Sequence, residues 1–547
     1  MQNLRSGYRK TKMGINIKMK NFILGFLFLA LLLVCPGCSR PEKGTDIPSA
    51  GRQAVLHPDF SGITIPPNIA PLNFFIKEAG NDFIVLIHST HGDPIRVQSR
   101  TGSIQIPLDS WKHLLAENVG QPLVVNIFVK DQHGQWARFD SVVDHIASEN
   151  IDSYVVYRKF GPLFNQWKKM GIFERCVENF DVTTVMFNQL TTYKNCMNCH
   201  NFLQNGTERW ILHMRFDPGT AMLLTINNKT TKIDTRTKFN KSPGGYPAWH
   251  PSGNLIAFSV GPPTQYFHTT GETRDELDRA LDIVVYDIRT NTISTVPQLA
   301  SKERVEVWPA WTPDGKYLYF CSAPKLDTFF VKTKTGEDTL EYDKIQYDLM
   351  RIPYNDQTGR WGNLETVLSS KEFGLSIMEP KVSPDGKFLI FTASHYGSFP
   401  IFHHDADLYI LDLTTGQHTK LALNSERAEG YHSWSSNSRW LVFSSKREDG
   451  QFTRLYLSHI DSLGNALKPF ILPQEDPLFY DSFLEIYNVP EFIKEPIRVS
   501  PQALAKAEFS DAVAAKLDPQ VLASLSADKA KSPSVVPIPS HKKMNKH

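Results

Sequence analysis

Hydrophobic and polar positions fall into distinct patterns along the chain. Residues 22–35 are uncharged and almost all apolar, and they follow Arg5, Arg9, Lys10, Lys12, Lys18 and Lys20. A helix of that length rises about 21 Å, short of a hydrocarbon core of roughly 30 Å, so an export signal is predicted rather than a permanent span. Between 55 and 145, short β-prone runs such as Phe83-Ile84-Val85-Leu86-Ile87 and Leu123-Val124-Val125-Asn126-Ile127 are broken by Gly and Asp, which predicts a small β-sandwich-like domain. Between 146 and 207 the register changes. Tyr154, Tyr157, Phe160, Leu163, Trp167 and Met170 recur at three to four residues, which predicts a partly helical segment.

From 208 to 497 the pattern is an internal repeat. Pro247-Ala248-Trp249-His250-Pro251-Ser252-Gly253 is followed by the apolar run Leu255-Ile256-Ala257-Phe258-Ser259. The same order returns at Pro309-Ala310-Trp311-Thr312-Pro313-Asp314-Gly315, at Pro380-Lys381-Val382-Ser383-Pro384-Asp385-Gly386 and at His432-Ser433-Trp434-Ser435-Ser436-Asn437-Ser438. Each copy reads as a hairpin whose turn residues preset the dihedrals, and each is followed by a further strand, as in Asp282-Ile283-Val284-Val285-Tyr286. Three or four strands per unit describe a propeller blade. Two divergent blades are expected at 209–235 and 469–496, giving a mainly-β chain with a propeller of about six blades. Beyond 498, a short helix is expected at 501–517 and a disordered end from 531.

The Ser-Pro-Asp-Gly-Lys turn and the Phe-Ser ending resemble the TolB-type β-propeller, and the resemblance covers roughly 209–496. Together with the Cys-x-x-Cys-His-Asn-Phe run before the repeats, the chain looks like a group of exported bacterial TolB-like proteins. The resemblance implies a propeller that serves as an interaction platform.

Composition narrows the partners. Lys and Arg number 59 against 57 Asp and Glu, so a formal charge of +2 provides no field that would recruit nucleic acid. Gly37 before Cys38 resembles a lipoprotein cleavage site, which makes Cys38 the expected lipidated first residue, 1–38 the signal and 39–54 a tether to the membrane. The expected location is the envelope of a bacterium, lipid-anchored and periplasmic or outer-membrane associated.

Export and a low cysteine count give weight to Cys196-Met197-Asn198-Cys199-His200, the c-type haem attachment signature. Covalent haem needs two thiols for its vinyl groups and an imidazole for the iron; Cys196 and Cys199 supply the first and His200 the second. A redox dithiol would want a βαβ context, and zinc a second ligand pair; Cys176 and Cys321 stand alone and read as structural. For the sixth iron position, Trp210-Ile211-Leu212-His213-Met214-Arg215 offers His213 and Met214. Alternation on a strand sends these to opposite faces, and His213 is the expected ligand, with Arg215 on its face as a partner for a propionate. His403-His404-Asp405 has metal-ligand character but lies in a variable loop. No nucleophile elbow, phosphate loop or His-Glu-x-x-His stands in the chain.

These observations predict an exported haem c protein engaged in electron transfer or redox sensing with an envelope redox or assembly protein. The alternatives are a non-enzymatic propeller that binds envelope proteins or polymers, with haem structural or absent, and a haem peroxidase, which would need an open iron and a distal acid-base pair.

Overall fold

The computed structural model describes residues 47–161, 169–191, 196–215, 220–261, 263–267, 274–278, 280–332 and 338–523. The export signal, Cys38, Leu163, Trp167 and the final 24 residues lie outside this set. Among the described residues no helix is long and apolar enough to cross a membrane.

Residues 55–146 form the expected small β unit, built from two sheets. The larger orders Thr64–Ile65, Val142–Ile146, Pro122–Lys130, Asp82–His88 and Ile95–Ser99; the smaller orders Leu56–His57, Phe74–Ile76 and Ser103–Ile104. A helix, Leu108–Glu117, buries Trp111, Leu114 and Leu115 in the same core. That core runs on without a break into Trp440, Phe443 and Tyr456, so the unit is docked on the propeller rather than tethered to it. Trp440 donates its indole N–H to the Glu149 carbonyl at 3.2 Å, and Asp152 accepts from the backbone N–H and the hydroxyl of Ser436 at 2.7 and 2.6 Å.

Six blades make the propeller among the described residues. Inner strands Cys196–Phe202, Gly245–Trp249, Arg304–Trp311, Ser376–Val382, Glu429–Trp434 and Ile486–Ile493 each lie beside the next, and the last lies beside the first, so the ring is closed. We number blades 1 to 6 in that order. Blades 1 to 5 run outward in chain order. Blade 6 does not: its inner strand comes from Ile486–Ile493, and its outer three, Tyr154–Phe160, Gly171–Cys176 and Val182–Phe187, come from about 300 residues upstream. A blade made of two chain ends removes the free edge a ring would otherwise leave.

This closure corrects two sequence expectations. Among its described residues the segment at 146–207, expected to be partly helical, is mostly strand with two short 3-10 turns, and the propeller includes Tyr154–Phe160 rather than beginning at 208. Blade strands are buried on both faces, so Val155, Val156, Tyr157 and Phe160 are all buried and no period of two marks them out. The 469–496 stretch likewise divides between the edge of blade 5 at Phe470–Ile471 and the inner strand of blade 6.

The repeated turn explains its own sequence. Thr312, Ser383 and Ser435 each donate a hydroxyl to the acidic or amide residue two places on, at 2.7, 2.7 and 2.6 Å. Each also accepts the backbone N–H that starts the next strand. The fourth turn position is left-handed, with φ of +72° at Gly315 and +61° at Ser438, so the divergent Ser436-Asn437-Ser438 makes the same turn. After the last blade, helix Pro501–Glu508 begins at the Ser500 cap, and Val513–Ala514 and Lys516–Leu517 pair in parallel with the outer strands of blades 1 and 2. The helix packs against the outer strands of blades 6 and 1 and so straps the closure seam.

Candidate functional site in the propeller channel

The haem-like pentapeptide is the inner strand of blade 1, Cys196–Phe202. Its pairing with Arg209–Arg215 slips between Met197 and His200. The same slip recurs in every other inner strand, between Gly245 and Ala248, Val307 and Ala310, Met378 and Lys381, and Gly430 and Ser433, and on blade 6 opposite Val156 and Arg158. Each slip is a bulge that turns side chains toward the propeller axis. In blades 2 to 6 its first residue is left-handed: Tyr246 φ +51°, Trp308 +59°, Glu379 +56°, Tyr431 +47° and Val489 +48°. Such backbone in non-glycine residues costs on the order of 1 kcal/mol each and clusters where function or closure demands it. Cys199 therefore takes the place of Pro247, Pro309, Pro380, His432 and Pro490, and His200 that of Ala248, Ala310, Lys381, Ser433 and Glu491.

One end of the channel is filled by aromatic rings. Tyr246 and Trp308 have centroids 3.9 Å apart, and Phe399, from the loop between the second and third strands of blade 4, packs on both. Toward the repeated turns the channel opens into a cavity of about 410 Å³ whose walls include His200, Glu379, Lys381, His432, Ser433 and Glu491. Cys199 and His200 meet Tyr246, Trp308 and Lys381 around a smaller space of about 50 Å³ deeper in.

His200 is buried, and neither ring nitrogen has a hydrogen-bond partner of ordinary geometry. Burial, helped by the nearby charges of Arg158 and Lys381, pushes its pKa down to about 3, so the ring is neutral. His432 is held down to about 3 by burial and Lys381, with Nε2 3.1 Å from the Ile390 carbonyl. Burial pushes Glu379 and Glu491 up to about 7. Glu379 accepts from the Tyr431 N–H at 2.7 Å and the Thr392 hydroxyl at 2.9 Å through one oxygen, and its other oxygen is buried without a partner. Glu491 accepts from the Phe202 N–H and the Asn201 amide, both at 2.9 Å, and so fixes the two residues that follow His200.

Register separates the two expected iron ligands. His200 pairs with Leu212, which packs with Met197 and Met214 against blade 6. His213 pairs with Met222, which packs with Ile211 against Trp249 and Phe258 of blade 2. His213 is thus on the opposite face of the sheet from His200, and its expected role as distal ligand is corrected: of the two neighbours, Met214 shares the His200 face.

No protein-family model matches the chain, and no curated protein matches it. Among solved structures it is similar to the tricorn protease, at 12% identity over 73% of this chain and 38% of that one, with a TM-score of 0.32. It is similar to oligogalacturonate lyase from Vibrio parahaemolyticus, at 10% identity over 71% and 100%, TM-score 0.29, and to the Dos1 propeller, at 12% over 43% and 63%, TM-score 0.25. The propeller assignment rests on the strand register and ring order.

A neutral imidazole without a hydrogen bond of ordinary geometry is what an iron ligand requires, Cys199 opens on the same space as His200, and neither Cys196 nor Cys199 is held in a disulfide. Cys196 lies in the blade 1–blade 6 core beside Met170 and Met186. The backbone between the thiols is extended, so they span roughly 10 Å of strand, less the bulge, where a helical turn would span roughly 5 Å. His200 and Cys199 would be the residues to hold the iron and one thioether, whereas Cys196, in the blade 1–blade 6 core, does not open on the same space. Among the described residues no three His, Cys, Asp or Glu side chains are grouped to hold a bare metal ion; Asp405 instead bonds the His395 backbone and ring. Sequence reasoning missed Glu379, Lys381 and Glu491. The signal was Glu379-Pro380-Lys381 standing where two other copies read aromatic-Pro-Ala.

Proposed function

We propose that this β-propeller protein is an exported, lipid-anchored haem c protein that passes electrons to or senses the redox state of an envelope partner. The observation that carries the reading is His200, a buried, neutral imidazole whose ring nitrogens make no hydrogen bond of ordinary geometry, directly after Cys199 on a strand that faces the channel. The group supplies one-electron chemistry at an iron whose potential its surroundings tune.

The chain's own part is to hold and shield. Glu491 pins Asn201 and Phe202, and the Asn201 carbonyl accepts the Trp249 indole N–H at 3.1 Å, so the strand that presents His200 is clamped from blades 6 and 2. Tyr246, Trp308 and Phe399 exclude water from the far end. Burial, helped by the positive charges of Arg158 and Lys381, keeps the His200 ring unprotonated, leaving a lone pair for iron. The lipid anchor at Cys38 and the envelope partner belong to the same proposal.

Expression with a cytochrome c maturation system followed by a haem stain on a denaturing gel tests it. A stained band at the mature mass supports the reading; an unstained, correctly exported protein refutes it.

A further inference from the structure

We propose that haem is tied to this chain through Cys199 alone, and that Cys196 keeps its thiol as a structural member of the seam between blades 1 and 6. The inference rests on the haem reading and departs from the two thioethers that the sequence motif implies.

Position comes first. Cys199 and His200 line the deeper space with Tyr246, Trp308 and Lys381, whereas Cys196 lines neither that space nor the larger cavity. Cys196 pairs with Arg215 and Met197 with Met214, ahead of the bulge, and His200 pairs with Leu212 beyond it. The bulge therefore separates the two thiols. Cys199 stands in the part of the strand that is turned toward the axis, and Cys196 stands before it.

Packing holds Cys196 in place. It is 8% exposed, in the core that Met197 and Met214 share with Met170 and Met186. The Met197 backbone N–H donates to the Met170 sulfur at 3.2 Å, which fixes the residue next to Cys196. Carrying Cys196 to the channel would unpair the start of the strand and withdraw apolar side chains from that core. A cysteine buried in apolar surroundings behaves as a small hydrophobe rather than as a reactive thiol.

The chemistry closes with one thiol. The Cys199 S–H adds across a vinyl group: sulfur bonds the carbon next to the porphyrin ring, the proton goes to the terminal carbon, and the C=C π bond is consumed. The addition needs no oxidant or reductant. Cys196 keeps its S–H, and one vinyl group remains unsaturated.

Alkylation of the denatured, haem-stained mature protein, followed by peptide mass mapping, tests the proposal. Cys196 should be labelled along with Cys176 and Cys321, and Cys199 should not. In alkaline pyridine the reduced protein should absorb at longer wavelength than a control cytochrome with two thioethers, because a vinyl group still extends the conjugation. Cys196→Ala should keep the stain and Cys199→Ala should lose it. Should Cys196→Ala fail to fold, the labelling and the spectrum of the unaltered protein decide. A stained protein whose Cys196 resists alkylation, a band that coincides with the control, a folded Cys196→Ala without stain, or a stained Cys199→Ala would overturn it. An unstained parent removes the haem reading together with this inference, whereas a stained parent with Cys196 blocked removes this inference alone.

Discussion

His200 and His213 stand on opposite faces of the blade 1 sheet, one toward blade 6 and the other toward blade 2. The relationship separates two histidines that lie close in sequence and predicts different effects. His200→Ala should shift the absorption spectrum of the oxidised mature protein and open the iron to carbon monoxide. His213→Ala should leave that spectrum as in the parent. A shift with His213→Ala of the size seen for His200→Ala would show that the two meet at one iron.

Glu491 ties blade 6 to blade 1 through two hydrogen bonds. Glu491→Ala strands the Phe202 N–H and the Asn201 amide in a buried seam, at a cost of about 1–3 kcal/mol. Glu491→Gln keeps an acceptor and should recover most of the loss. Chemical denaturation of the two variants side by side measures the difference.

Arg175 is a staple between blades 6 and 5. Its buried guanidinium donates to the carbonyls of Cys176 and Asn179 and, at 3.0 Å, to Pro473. Arg175→Met fills much of the space but leaves three carbonyls without a donor, and should lower stability by about 2–5 kcal/mol. A thermal midpoint unchanged from the parent would show that the staple carries no load.

Glu306 sits buried in the inner strand of blade 3, where burial pushes it up to about 8 from an ordinary 4.5. A folded-state pKa raised above the unfolded value favours folding most fully below pH 4.5, and this contribution is lost as pH rises to about 8. Glu306→Gln removes that dependence. Its thermal midpoint relative to the parent should therefore rise between pH 5 and 8; a difference that stays flat over the range would contradict the assignment.

Much of the propeller was legible because its turns are written in residues that perform the turn. Thr312, Ser383 and Ser435 clamp their own loops, so the repeated hairpins could be read directly, while the count of about six also relied on a flank at 469–496 that the structure divides between blades 5 and 6. Closure was hidden, because pairing of Tyr154–Phe160 with Ile486–Ile493 joins strands far apart in sequence and leaves no local signature. The channel was hidden for a related reason. Glu379, Lys381 and Glu491 come from two inner strands, and only the shared bulge register brings them beside His200. The motif named the residues of blade 1, while the register decided which of their neighbours face them.

The intact mass of the exported, mature protein tests the central claim most directly. The account predicts polypeptide plus lipid plus one haem, with the haem retained after denaturation and lost when Cys196 and Cys199 are both replaced by Ala. A mass that matches polypeptide and lipid alone, from a sample matured beside a control cytochrome that did acquire haem, would contradict it.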